Sequence, residues 1–256
     1  MSANSLPAAR RFRVLVLGGS TEAFDLAERL AGDADIEAIT AMAGVTRERR
    51  PVPGHVRIGG FGGPAGLADF LNREAIDAVV DSTHPFARVM TANAAAAAAA
   101  AGVPIVHVLR PAWAPQQGDD WRAVDDMAAA AAAIPAGPCF LTVGRTELAP
   151  FAVRRDLAFV ARVIDRPEPA PDFADVTYVE ARGPFVLADE LALLRHHGIR
   201  SIVTKNSGGG AAEAKLIAAR RLGLPVVMVR RPAPPAGTVV PDAAAALAWI
   251  RSLHHA

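Results

Sequence analysis

Short β-branched runs alternate along this chain with helical segments of roughly ten residues or more, and no other feature limits its fold as tightly. Parallel strands need a long crossover between them, which a helix supplies, so the alternation predicts a mostly parallel sheet with helices on its faces. The first half reads as strand 14–17, helix 21–30, strand 36–40, strand 56–58, helix 65–73, strand 78–81, helix 85–101 and strand 105–109. Between Arg110 and Pro138 the rhythm breaks: Pro111, Pro115, Pro135 and Pro138 surround Trp113, Trp121 and an alanine-rich helix near 126–133. A second set follows, with strands at 140–143, 159–164, 176–179, 201–204 and 226–229, helices at 187–196 and 211–222, and a closing helix at 243–253. The expected architecture is α/β: two Rossmann-like lobes with mostly parallel sheets and an intervening cleft, residues 1–112 forming the first and 113–256 the second.

A chain of 256 residues with a formal net charge of +1 has room for two modest cores and no charge excess pointing to nucleic acid. The single cysteine, Cys139, lies in the apolar run Cys139–Phe140–Leu141 and reads as a small core residue rather than a nucleophile. One cysteine excludes an intrachain disulfide framework and a cysteine-rich zinc site, and the histidines show no metal-ligand spacing, so no metal is expected. The alanine tract at 94–101 is too short and too weakly apolar to span a membrane, and Met1–Arg13 has no apolar core of signal-peptide length. The expected location is the cytoplasm, with no membrane partner.

The first strand runs into Gly18–Gly19–Ser20–Thr21–Glu22 and then into an amphipathic helix. Glycines there let backbone amides approach a phosphate at the positive end of a helix dipole, and Ser20 or Thr21 offers a cap and a hydroxyl. The second and third glycines of the G-x-G-x-x-G fingerprint fall on Ser20 and Ala23, so a plain strand-to-helix turn remains the alternative. After the second strand no carboxylate stands where an NAD-binding fold would grip the ribose, and Gly44, Arg47, Arg49 and Arg50 follow; this favours the 2′-phosphate of NADPH, with a solvated basic loop as the alternative. Gly59, Gly60, Gly62 and Gly63, four glycines in five positions, suggest backbone close to a ligand or a mobile loop. Thr83 and His84 end the fourth strand, at the carboxyl edge where open α/β sheets bind ligands, while Ser82 to Pro85 would also suit a helix start.

In the second half Val143–Gly144–Arg145–Thr146–Glu147 repeats the order of strand, glycine, polar cap and helix. Lys205–Asn206–Ser207–Gly208–Gly209–Gly210 reads as an anion-binding turn at a helix N-terminus, with a plain surface turn as the alternative; the G-x-x-x-x-G-K-[ST] order is absent and ATP use is disfavoured. Arg110, Arg145, Arg162, Arg166, Arg182, Lys205 and Arg230 lie at or near strand ends. If several face one cleft, the partner is a small molecule bearing many carboxylates; solvated surface charge is the default for any one of them.

Taken in order, Leu17–Glu22, Gly59–Gly63, Asp81–Ala87, Arg110–Trp113, Arg182–Phe185 and Thr204–Gly209 resemble the precorrin-6A reductase family over nearly the whole chain. The resemblance implies NADPH-dependent reduction of one double bond in a polycarboxylate tetrapyrrole, on the route to the corrin ring of cobalamin. It implies that the first lobe holds NADPH through Gly18, Gly19, Ser20, Thr21, Gly44, Arg47, Gly60 and Thr83. Arg110, Arg145, Arg182, Asn206, Ser207 and Gly208 would bind substrate, with His84 and Lys205 nearest the reacting carbons and product passing to neighbouring pathway enzymes. Two rivals share the fold. A Tyr-x-x-x-Lys oxidoreductase is disfavoured because the only tyrosine, Tyr178, has Arg182 four residues on. An NADP-sensing module would need neither the Lys205 turn nor the Trp113 linker.

Overall fold

Val14, Leu15, Val16 and Leu17 are all buried, as a strand covered on both faces requires. They belong to β1 (Phe12–Leu17), the centre of the first of two sheets in a computed structural model that describes residues 10–42 and 51–255. The chain divides into two compact units, Met1–Arg110 with Pro234–Ala256, and Pro111–Ala233.

The first unit contains β1, α1 (Thr21–Leu30), β2 (Ile36–Met42), β3 (His55–Ile58), α2 (Gly63–Arg73), β4 (Ala78–Asp81), α3 (Arg88–Ala101), β5 (Ile105–Val108), and, from the end of the chain, β12 (Thr238–Val240) and α7 (Ala243–His254). Its six strands are parallel in the order β12-β5-β4-β1-β2-β3. Alternate residues of β1 feed opposite cores. Val14 and Val16 pack with Leu26 and Leu30 of α1 and Ala246 and Ile250 of α7, while Leu15 and Leu17 pack with Leu67 and Leu71 of α2 and Ala94 and Ala97 of α3. Each fully buried leucine contributes about 1.5–3 kcal/mol. The alanines of α3 let that helix lie close to the sheet, and Gly102, in the left-handed region at φ 66°, ends it.

The second unit contains β6 (Trp121–Val124), α4 (Met127–Ala133), β7 (Cys139–Leu141), β8 (Phe159–Val163), β9 (Val176–Glu180), α5 (Leu187–His196), β10 (Ser201–Lys205), α6 (Ala214–Leu222) and β11 (Val226–Val229). Its strands are also all parallel, in the order β6-β11-β10-β7-β8-β9. Phe140, Ile202, Leu194 and Leu216 form the core between sheet and helices. Cys139 is buried in β7, and burial pushes its thiol up to about 12, far from a nucleophile's range.

The two sheets repeat one plan. Read from β3, the first runs third, second, first, fourth, fifth strand; read from β9, the second does the same. In each, the sixth strand is delivered from across the unit boundary. The chain leaves β5 to enter the second unit at β6, beside β11, and leaves β11 to return at β12, beside β5.

Three sequence expectations change here. The second domain does not run to the C-terminus, because β12 pairs with β5 and α7 buries Ala243, Ala246 and Ile250 in the first unit's core. The segment 110–138 contains the strand β6, and α3 starts at Arg88 rather than 85, without a side-chain cap. Instead, His84 Nδ1 accepts from the Phe86 N–H at 3.3 Å and the His84 carbonyl accepts from the Ala87 N–H at 2.7 Å, forming a turn ahead of the helix.

Candidate active site

The first unit's strands deliver their carboxyl ends to one cavity of about 460 Å³. Its lining includes Gly18 and Gly19 after β1, Met42 of β2, Gly60 and Phe61 after β3, and Thr83 and His84 after β4. Each position has a local cause. The Gly18 N–H donates to the Ala41 carbonyl at 2.8 Å, and a Cβ at Gly18 would stand 3.1 Å from Met42 Sδ and 3.2 Å from the Ala41 oxygen, so a side chain there would push the turn or Met42 away from its close fit against β2. Gly19 has φ 124°, and a Cβ there would meet nothing. Arg57 shapes the next wall: its guanidinium donates to the carbonyls of Gly59 at 2.6 Å and Gly60 at 2.8 Å and lies 3.9 Å from the centre of the Phe61 ring.

Ser20 caps α1 by accepting from the Ala23 N–H at 3.2 Å, and its hydroxyl donates to the Ser82 carbonyl at 2.7 Å. It is a strut between the turns after β1 and β4, and its hydroxyl proton is already engaged there. Thr21, at the start of α1, is exposed. Asp81, at the end of β4, is buried; its Oδ1 accepts from the Thr83 hydroxyl at 2.7 Å and its Oδ2 accepts from His107 Nδ1 at 2.9 Å. Burial pushes the Asp81 carboxyl upward, but hydrogen bonds from His107, Thr83 and Thr91 outweigh it and hold the group below the usual carboxylate range. The anchored carboxylate fixes Thr83 on the cavity wall. Arg110 forms a 2.7 Å ion pair with Glu22 in the first turn of α1. Gly44 and Arg47, with Arg49 and Arg50, lie outside the described residues.

In the second unit Lys205 ends β10, the strand corresponding in sheet order to β4, so Lys205 and His84 follow equivalent strands. The Lys205 ammonium donates to Glu147 Oε2 at 2.6 Å, and the same oxygen accepts from the Gly144 N–H at 2.9 Å. Gly144–Glu147 thus repeats Gly19–Glu22 in sequence, but an internal carboxylate covers its backbone amide. Here 3-10 turns, Arg145–Glu147 and Ala149–Val153, replace the expected helix. Nor does the Lys205 turn open a helix directly, because a 3-10 turn at Gly210–Ala212 intervenes and α6 is preceded by Glu213. The side-chain amide of Asn206 is committed to Trp113, accepting from its N–H and donating to its carbonyl, both at 2.9 Å. A Cβ on Gly208 would stand 2.1 Å from the Pro111 carbonyl oxygen, and Arg231 donates to the carbonyls of Asn206, Ser207 and Pro111. Asn206 and Gly208 therefore build the turn. Arg145 faces Asp165 at 3.8 Å and Arg182 is exposed.

Of the sequence-derived residues, Gly18, Gly19, Gly60, Thr83 and His84 share one cavity wall; Lys205, Asn206, Ser207 and Gly208 share one turn. Sequence reasoning missed Arg57 and the pair Asp81–His107. A histidine inside the apolar run Ile105–Val108 was the available signal, because a buried imidazole needs a partner.

A parallel sheet in the order 3-2-1-4-5-6, with a glycine turn after its first strand and a crevice over its carboxyl edge, defines the class: a doubly wound α/β protein of the dinucleotide-binding type. Comparison with known proteins narrows this. Residues 13–251 match the sequence profile of the family described as Precorrin-6x reductase CbiJ/CobK, and the chain belongs to that family. It is 49% identical over 245 residues to the precorrin-6A reductase of Rhodococcus erythropolis, covering 94% of this chain and 98% of that protein. It is 46% identical over 240 residues to the precorrin-6A reductase of Rhodobacter capsulatus, covering 93% and 95%. The solved structure of a CobK precorrin-6A reductase superposes with a TM-score of 0.90 at 45% identity, covering 94% of this chain and 97% of that one.

Proposed function

We propose that this chain reduces one double bond of precorrin-6A with NADPH, in the assembly of the corrin ring, and does so in the cytoplasm. Family membership supports the substrate. The cavity carries the cofactor assignment: glycine backbone open at Gly19 and Gly60, at the carboxyl edge of a sheet with the dinucleotide-binding strand order, fits an extended ligand with a pyrophosphate. Gly18, Gly19 and the amides opening α1 would hold the pyrophosphate, Gly60 and Thr83 the flanking walls, and the arginine-rich segment with Gly44 and Arg47 the 2′-phosphate. When bound, NADPH supplies the hydride.

The residues' own work is to hold, orient and move a proton. Met42, Phe61 and Met90 line the cavity with apolar surface, which would exclude water around a bound ligand. His84 and Lys205 are the proposed catalytic groups, one of them passing a proton to the carbon beside the one reduced. The Lys205 turn, with Arg145, Arg182 and Ser207, is the proposed contact for substrate carboxylates; a substrate carboxylate would compete with Glu147 for the lysine. Arg110, paired to Glu22, would take part by exchanging that partner.

The test is NADPH oxidation by the purified protein with cobalt-free and cobalt-loaded precorrin-6A, beside the variant Gly60→Val. A valine at Gly60 has ordinary φ and open space, so stability should stay within about 0.5 kcal/mol while the NADPH Kd rises about tenfold or more. Turnover independent of either macrocycle would defeat the substrate assignment. An unchanged Kd in folded Gly60→Val would take the cofactor out of this cavity.

A further inference from the structure

Three motifs that carry the family resemblance meet in the second unit around a lysine that belongs to none of them. Lys215, on α6, is 3% exposed; its Nζ donates to the Ala212 carbonyl at 2.9 Å and lies 5.1 Å from the centre of the Trp113 ring. Its electrostatic neighbours are Arg162 of β8 and Glu190 of α5, themselves a buried ion pair, and Glu190 Oε2 has no hydrogen-bond partner. Arg162 in turn lies 3.6 Å from the centre of the Phe185 ring. Lysine is almost never fully buried unless paired, and taking its charge out of water opposes folding. A carbonyl and an aromatic face are modest compensation.

What these contacts secure is the turn after β10. Its start hangs on Trp113 through the two hydrogen bonds of Asn206, and its later part through the Trp113 Nε1–H, which donates to the Gly209 carbonyl at 3.1 Å. The residues that follow are held from two sides. The Phe185 N–H donates to the Ala211 carbonyl at 3.1 Å, and Lys215 takes the Ala212 carbonyl while its ammonium faces the ring of Trp113. Removing the ammonium would release one carbonyl of the turn and one face of the indole that suspends the rest.

We propose that Lys215 is a positioning residue, whose buried amino group fixes the Lys205–Ala212 turn, directly at Ala212 and through Trp113, in the shape that receives a substrate carboxylate. The proposal rests on the reading of that turn as a substrate contact. A destabilising group kept in a core is expected where function requires it, and here the requirement is a rigid turn.

Lys215→Met keeps the length and apolar stem and deletes the amino group. In steady-state kinetics the KM for precorrin-6A should rise about tenfold, and the KM for NADPH, bound in the other unit, should stay within about twofold. At pH 6, where the folded parent carries the buried charge, the melting temperature should be equal to or above that of the parent, because that charge is gone. A lowered melting temperature with both KM values unchanged would make Lys215 a structural residue only, and three unchanged values would remove any role; either overturns the proposal. Should Lys215→Met fail to fold, Trp113→Phe decides. It keeps an aromatic face but loses the donor to Gly209, so a native precorrin-6A KM in that variant overturns the proposal and a selective rise supports it. Lys205→Ala separates the two layers. If it leaves the precorrin-6A KM unchanged, the turn is not a substrate contact and both readings fall. If Lys205→Ala raises that KM while Lys215→Met and Trp113→Phe do not, only the positioning role fails.

Discussion

Lys215 gives up its proton far more readily than a lysine in water: burial disfavours the ammonium, Arg162 adds repulsion, Glu190 only partly offsets them, and the pKa falls from 10.5 to about 7. The sign of the effect on stability follows. Between pH 7 and 10.5 the unfolded chain keeps this proton and the folded one has lost it, so stability rises with pH across that window, by at most about 1.4 kcal/mol per pH unit. Below pH 7 both states are protonated and the folded protein bears the full cost of the buried charge. Urea unfolding at pH 7, 8 and 9 should show this rise in the parent and a flatter profile in Lys215→Met; parallel profiles would mean that folding does not make the lysine give up its proton more readily. Residue identity pointed to the residues that line the first unit's cavity and said nothing of the struts behind them. That Gly18, Gly60, Thr83 and His84 share a cavity wall was readable because they follow the carboxyl ends of neighbouring strands in an open α/β sheet. Ser20 and Asn206 have the polar groups of ligand contacts, but their partners, Ser82 and Trp113, stand 62 and 93 positions away, and no local pattern announces such pairs. Lys215 has ordinary helix-surface chemistry in sequence, and only the packed structure shows that it faces inward.

At the scale of elements, α1 shows what one cap secures. Ser20 at its N-cap satisfies the Ala23 N–H and, through its hydroxyl proton, the Ser82 carbonyl after β4, so one side chain fixes a helix start and the loop carrying Thr83 and His84. Losing a cap costs about 1 kcal/mol, and an unsatisfied buried carbonyl a further 1–3 kcal/mol. Ser20→Ala should therefore lower the free energy of unfolding in urea by about 2 kcal/mol and weaken NADPH binding. A loss below about 0.5 kcal/mol would show that the strut is dispensable. Elements with strong periodicity or clear punctuation were legible: helices at 21–30 and 187–196 and strands at 78–81 and 226–229 stand where the sequence placed them. The misses were β6 and β12. Each is short, and β12 is only three residues between Gly237 and Pro241, so neither offers enough residues for a period-two pattern.

For the molecule as a whole, the return of the chain at β12 means that the first unit is built from two separate stretches, while the second, Pro111–Ala233, is one insertion between them. Cutting after Ala233 should remove the β12 edge beside β5 and the α7 residues Ala243, Ala246 and Ile250 from the first unit's core, while leaving every strand of the second sheet in place. The truncated protein is expected to lose NADPH binding and to expose the first unit to limited proteolysis, with the Pro111–Ala233 fragment persisting; native NADPH affinity after truncation would show that β12 and α7 are ornaments of that unit. The domain boundary near residue 110 could be read from prolines, but the return of the chain could not, since nothing local distinguishes a closing helix of one lobe from that of the other. During synthesis the consequence is an inverted schedule. The unit whose strands emerge first from the ribosome is completed after the second, because its sixth strand and a wall of its core are made only once the whole second unit has been translated. Until then the edge of β5 and the apolar residues beneath α7 stay uncovered, and a cell making this protein has to shelter them for the time it takes to translate the entire second unit.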